Sequence, residues 1–256
     1  MRRLTRALAV VGFLVLLAMV AVLAAPASVV AWLVEWQTHG TIRLADTEGS
    51  LRSGRARVTD AGGRWSAPVA WTLDAGAWWR GVLTLHLGQS PTDPVRGSIE
   101  LSRNAIAASG LDVTVPAAIV RAWLPAIVAL DLGGDIRISA PSLRVDDRIA
   151  QGRVSAVWTP ARLVDGAGNV ADFGSATVDV DAGDGKVIGR LASVGGDTAL
   201  AGEMRVDGAR VDADITLTPR TATPSALLRN VTVFGSAAPD GGTRFSYHGA
   251  WRGARR

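Results

Sequence analysis

Between Ala176 and Leu217 apolar residues return at every second position, and turn sequences interrupt the alternation at spacings that hairpin geometry can test. Taking Asp207-Gly208 as a two-residue turn pairs Val206 with Ala209, Met204 with Val211 and Leu200 with Ile215. Gly195-Gly196 as the preceding turn pairs Leu191 with Leu200 and Val187 with Met204, and the loop from Ala182 to Gly185 pairs Val180 with Val187 and Asp181 with Lys186. Three turns thus agree on one apolar face: Val180, Val187, Leu191, Leu200, Met204, Val211 and Ile215. The same register sets Arg205 beside Arg210 and Glu203 beside Asp212, tolerable where water screens them, so the opposite face is wet. A one-residue slip would turn the apolar set outward, so the agreement predicts a four-stranded antiparallel meander with two unlike sides.

The apolar side needs cover. It can come from strands within residues 41–101, giving a sandwich or a folded, U-shaped sheet, or in part from a bound apolar molecule. Period-two alternation also marks Val69, Trp71 and Leu73, then Leu83, Leu85 and Leu87, then Ile136 and Ile138. Val115 to Leu124 breaks the pattern, with Pro116 at a first helical position and Ile119/Trp123 and Val120/Leu124 at helical spacing, and predicts a short helix ended by Pro125. A second short helix is expected from Pro224 to Leu228, reaching toward Phe234, before a closing strand from Arg244 to Trp251. The expectation is a mainly β chain: one β-rich domain over residues 37–256, divisible into pseudo-halves 40–112 and 130–256, behind an N-terminal segment 1–36.

That segment sets the compartment. Ala7 to Val34 is a run of 28 uncharged residues, and Ala7 to Ala25 alone would be about 28 Å long as a helix, close to the hydrocarbon thickness of a bilayer. Leu8, Phe13, Leu17 and Val22 are its apolar anchor residues, and Trp32 and Trp36, four apart, suit the headgroup layer. Arg2, Arg3 and Arg6 in front place the N-terminus in the cytoplasm and the bulk outside it. Ala25-Pro26-Ala27 also reads as a small-x-small cleavage site; the run exceeds the usual secretory h-region, which favours an uncleaved single-pass anchor.

Beyond residue 34 the 24 basic and 23 acidic side chains are interspersed, leaving no phosphate-neutralising patch, so nucleic acid is not an expected partner. Without cysteine there is no disulfide framework and no thiolate metal site. His39, His86 and His248 stand at no metal spacing and in no acid–His–nucleophile pattern, and His86 reads as a solvent-facing strand residue. Asp179 to Gly185 resembles a calcium loop only superficially, because the twelfth position from Asp179 is Arg190, and a hairpin turn accounts for it. No catalytic residue, cofactor site or metal site is expected; the chain reads as a non-enzyme. Tryptophan is the anomaly, with nine residues against four phenylalanines. Trp78 and Trp79 cannot both point inward on a strand, so one of them, with Arg80, is a candidate partner contact.

The basic tip and apolar run, followed by Gly49-Ser-Leu-Arg-Ser-Gly54-Arg-Ala56, Trp71-Thr-Leu73, Leu124-Pro-Ala126, Leu132-Gly-Gly-Asp-Ile136-Arg-Ile138, Gly152 to Trp158, Gly202-Glu-Met204, Leu217-Thr-Pro219, Leu227-Leu228 and Phe234-Gly235, resemble protein N (GspN) of Gram-negative type II secretion systems. The likeness covers almost the whole chain; Leu51-Arg52 departs from it where an aromatic residue commonly precedes the second glycine. It implies an accessory, non-enzymatic inner-membrane component of the general secretion pathway. Its bulk would lie in the periplasm, as a scaffold between the inner-membrane platform and the secretin. A folded sheet with an apolar inside, held at the inner membrane, is also similar to AsmA-type lipid carriers. A carrier requires the inside of the meander to stay open, whereas a scaffold expects it filled by side chains of the first half.

Overall fold

The structure, a computed structural model, describes residues 25–38, 40, 42–60, 63, 65–74, 76–88, 90, 92–118, 130–146, 150–208, 210–221, 226–227, 229, 235–238 and 241–250. The predicted membrane span, with Leu8, Phe13, Leu17 and Val22, lies outside these residues, as do His39, Trp251 and most of the two predicted short helices. The chain is mainly β and antiparallel, with one short α-helix complete within the described residues, and it divides into two compact units, Met1–Pro94 and Val95–Arg256.

The first unit holds helix α1 (Ser28–Gln37) and the meander β1 (Ile42–Gly49), β2 (Ser53–Asp60), β3 (Ser66–Asp74) and β4 (Leu83–Leu87). Its core is small. Ala27, Ala56 and Trp71 are buried, and Val30 of α1, Leu44, Val69, Leu85 and Leu87 pack against them. Trp71 explains the glycines of the first motif. A Cβ at Gly54 would lie 2.5 Å from the indole of Trp71 and 2.7 Å from the Glu48 carbonyl, so only glycine lets the ring settle there. The indole N–H donates to the Leu51 carbonyl (3.2 Å), which ties the β1–β2 turn to β3 without an aromatic residue in the turn.

Within the described residues, α1 does not extend back through Pro26. Pro26 pairs as an isolated bridge with Ser50, the Ala27 N–H donates to Gly49 (3.1 Å), and the Leu51 N–H donates to Ala25 (2.7 Å). Proline at 26 disfavours helical angles at Ala25, and α1 begins afresh at Ser28. Trp32 and Trp36 lie on this helix, which packs on the first unit. At ten residues, or about 15 Å, α1 is half the thickness of a bilayer core. No helix among the described residues is long and apolar enough to cross a membrane.

The second unit comprises β5 (Val95–Leu101), β6 (Ala105–Pro116), β7 (Leu130–Asp146), β8 (Ala150–Asp165), β9 (Val170–Gly183), β10 (Lys186–Val194), β11 (Thr198–Asp207), β12 (Arg210–Pro219), β13 (Ser236–Ala237) and β14 (Thr243–Ala250). From β6 to β12 each strand pairs with the one before it; β14 then pairs with β12, and β13 with β14. Val115 and Pro116, expected to open a helix, instead end β6 opposite Ile136 and Asp135. Proline is tolerated there as the terminal strand residue, where its missing N–H interrupts no continuing ladder. Ala117 and Ala118 then turn helically, and the rest of the predicted helix lies outside the described residues.

All three predicted hairpin registers are two residues off. The observed pairs are Val206 with Val211, Met204 with Ala213, Leu200 with Leu217, Val187 with Val206, Leu191 with Gly202, and Val187 with Ala182. Asp207 pairs with Arg210, so Gly208 opens the turn with φ +57°, and Asp184-Gly185, at φ +52° and +74°, forms the turn before β10. The charges favour the observed register. It replaces the Arg205/Arg210 neighbours with Arg205 opposite Asp212 and Asp207 opposite Arg210. At Gly195-Gly196 the loop is wider because it folds onto β9: a Cβ on Gly196 would lie 2.4 Å from the Asp172 carbonyl, and one on Gly174 would lie 2.3 Å from the Val194 carbonyl.

Candidate interaction surfaces

A two-residue shift preserves the parity of every strand, so Val180, Val187, Leu191, Leu200, Met204, Val211 and Ile215 still project from one face of the second unit. The ladder carries that face much further than those seven. Val95, Val113, Ile138, Ala156, Val178, Leu191, Gly202, Ile215 and Phe245 follow one another across nine strands. So do Ile99, Ala108, Leu143, Gly152, Ala182, Val187, Val206, Val211 and Gly249. Between these rows run Val154, Val180, Gly189, Met204, Ala213 and Tyr247. The result is a band without a charged side chain, about 38 Å across nine strands at 4.8 Å per strand.

One end of the band is closed. Phe173, Ala161, Ala171, Ala176, Leu217 and Leu227 form a buried cluster against which Trp158, Leu163, Leu191, Leu200 and Phe245 pack. Trp158 lies 6.4 Å from Phe173, and its indole N–H donates to the Gly133 carbonyl (2.7 Å), the same device that Trp71 uses in the first unit. Away from that cluster the band is only half covered. Met204 is 37% and Ile215 38% exposed, Tyr247 is 57% exposed, and Leu101, Ile106 and Val145, paired across β5–β7, are exposed as well. Openness of this kind is what the carrier reading requires of the meander.

The opposite face holds the charge. Arg153 and Arg190 converge on Asp181 (2.8 and 3.2 Å), Arg210 and His248 on Asp212 (3.0 and 2.9 Å), and Arg96 and Arg137 on Asp112 (both 2.5 Å). Glu203 and Asp214 face each other, and each is held by an arginine, Arg205 and Arg244 (2.9 and 2.8 Å). Hydrogen bonding from Arg137, then from Arg96, holds the Asp112 carboxyl at about 2 against the opposing effect of its burial. The His248 hydrogen bond lowers Asp212, and Arg153 lowers Asp181. These groups form a screened surface lattice; the Asp179 to Gly185 segment belongs to it as a hairpin, with Asp181 committed to arginines. His86, in β4 of the first unit, is exposed opposite Thr72.

Trp78, Trp79 and Arg80 lie on no strand; they form a 3-10 turn between β3 and β4. Trp79 is 69% exposed, with the Arg80 guanidinium 4.9 Å from its ring centre. A third surface lies on α1, where Val29 and Leu33, which sequence reasoning left out, are exposed alongside the expected Trp32 and Trp36, whose rings stack at 6.3 Å. Their i, i+3, i+4, i+7 spacing was legible, but the continuous apolar run hid where the helix begins.

Residues 40–246 match the family described as Type II secretion system (T2SS), protein N. The chain belongs to that family, whose members are accessory components of type II protein secretion. Its glycine and tryptophan motifs are the packing points of both units: Gly54 with Trp71, and Gly133 with Trp158. No curated protein and no solved structure matches the chain.

Proposed function

We propose that this chain is a non-catalytic, single-pass inner-membrane accessory of type II secretion, with its N-terminus in the cytoplasm and its β units in the periplasm. There it links the inner-membrane platform to periplasmic parts of the secretin during export of folded proteins. The observation that supports this reading is the two-faced second unit: nine strands with an uncharged band on one side and a lattice of ion pairs on the other. A charged, hydrogen-bonded face remains soluble, and an uncharged one gains free energy when covered. Photo-crosslinkers at Ile215 and Met204, compared with one at Arg153, test it in living cells. Crosslinks to secretion subunits are expected from the first two and not from the third; an equal pattern overturns the band as the adhesive surface. A deletion strain is expected to retain folded secreted proteins in the periplasm, and unimpaired export opposes the linking role.

The half-open band favours a second reading, in which it holds hydrocarbon. Its backbone groups are already paired strand to strand, so an extended peptide lying on it would bury unsatisfied amides, whereas an acyl chain has none to satisfy. Native mass spectrometry of the detergent-extracted protein tests this: copurified lipid lost on Ile215→Asp supports it, and lipid-free protein removes it.

A further inference from the structure

Helix α1 is apolar on two sides at once. Ala27 is buried in the first unit's core and Val30 packs against it, while Val29, Trp32, Leu33 and Trp36 form a second stripe that no described residue covers. At 100° per residue that outer stripe spans about 100° of the helix, with Ser28 and Glu35 along one border. Glu35 is drawn to Arg43 of β1 (3.2 Å), so the stripe itself carries no charge. A helix apolar all round is ordinarily buried on every side, and here half of the burial is supplied by the protein.

We propose that the outer stripe of α1 rests in the headgroup layer of the bilayer, so that the first unit is seated on the membrane surface and does not hang from a flexible leash. This deepens the anchor reading above and rests on it. The uncharged run at 7–25 is long enough to span and ends two residues before Ala27, so a spanning segment leaves α1 within about 10 Å of the membrane boundary. No slack exists at the junction, because Ala25 and Ala27 are hydrogen-bonded to Leu51 and Gly49. Two stacked, exposed indoles on an uncharged stripe suit the interface, where an aromatic ring can be half wet, better than open water. The expected occupant is therefore lipid, and α1 separates β1 from it.

The chain has no cysteine, so single labels can be placed without background. The full chain is reconstituted in phosphatidylcholine–phosphatidylglycerol nanodiscs carrying shallow nitroxide lipids, with an environment-sensitive fluorophore on Leu33→Cys or, as a control, on Val194→Cys, a site 77% exposed in the second unit. The expected result is quenching at 33 at least about three times that at 194, falling to the control level when Trp32→Glu and Trp36→Glu are added. Retention through an alkaline carbonate wash reports separately on the span. Protein that is retained but quenched equally at 33 and 194 overturns the seating alone. A blue-shifted but unquenched label at 33 also overturns it, by revealing a protein partner on the stripe. Protein released by the wash overturns the span and the seating together.

Discussion

Trp71 and Trp158 play the same part in two units that otherwise differ. Each sends its N–H to a backbone carbonyl, of Leu51 and of Gly133, and each joins an apolar cluster that closes part of a meander. In the first unit the sheet is four strands wide and one helix supplies cover for its centre. In the second unit an apolar face of nine strands receives, among the described residues, a buried cluster at one end only. The difference shows that alternation makes a face but does not provide its lid. A narrow sheet can be completed by one helix, and a wide one leaves most of its apolar area for something else to cover.

The largest effects are expected where the two units are alike. Trp71→Ala and Phe173→Ala, at sites 4% and 2% exposed, should each cost about 3–5 kcal/mol of unfolding free energy, read by urea titration of the detergent-solubilised protein. Hydrogen exchange should place the first loss in β1–β4 and the second in β8–β12; coincident loss everywhere would erase the distinction between the units.

A smaller gain is expected at Thr198, whose buried Oγ1 has no hydrogen-bond partner. Thr198→Val keeps the shape and removes the orphaned hydroxyl, and should raise stability by about 1 kcal/mol. A loss would mean that this hydroxyl is satisfied in solution.

Asp112→Asn should cost roughly 1 kcal/mol, since its arginine partners are well solvated and screening reduces what the carboxylate contributes. Its folded pKa, about 2, lies below the ordinary carboxylate value of about 3.9, so the contribution is whole above about pH 4 and disappears as pH falls toward 2. The variant and the parent should therefore converge in stability at acid pH; a constant gap would assign the effect to packing.

The smallest effect separates the open band from the closed end most sharply. Ile215→Ala, at a site 38% exposed, should cost under about 1 kcal/mol in the isolated protein. A cost matching that of Phe173→Ala would mean that the band is covered in solution.

The faces of the sheet were legible in sequence because side-chain direction depends only on parity, which survived a two-residue error in all three turns. The register was not, because Asp207-Gly208 specifies a turn without saying which of its residues closes the ladder. The observed register sets Asp207 opposite Arg210 and Arg205 opposite Asp212, neighbours that the turn residues alone do not specify. The continuation of the band through Val95, Val113 and Ile138 was hidden by irregularities in β5–β8, where register shifts interrupt simple alternation. Val115 and Pro116 misled for another reason: a proline that could start a helix was held in β6 by its neighbour's pairing with Ile136. At α1, hydrophobicity concealed a break that Pro26 imposes through its bridge to Ser50.

From β6 to β12 each strand pairs with its predecessor, which bears on how the sheet is assembled. A chain with this order can zip forward from its amino end, most hairpins closing a short loop on a template already laid down and the 13 residues between Pro116 and Leu130 a longer one. β14 is the exception, since it must return to β12 across the 23 residues between Pro219 and Thr243. The last and slowest closure therefore falls at the carboxyl end. Until it is made, the rim of β12 stays available to any passing strand, which makes the final hairpin the point at which a helper or a competitor could act.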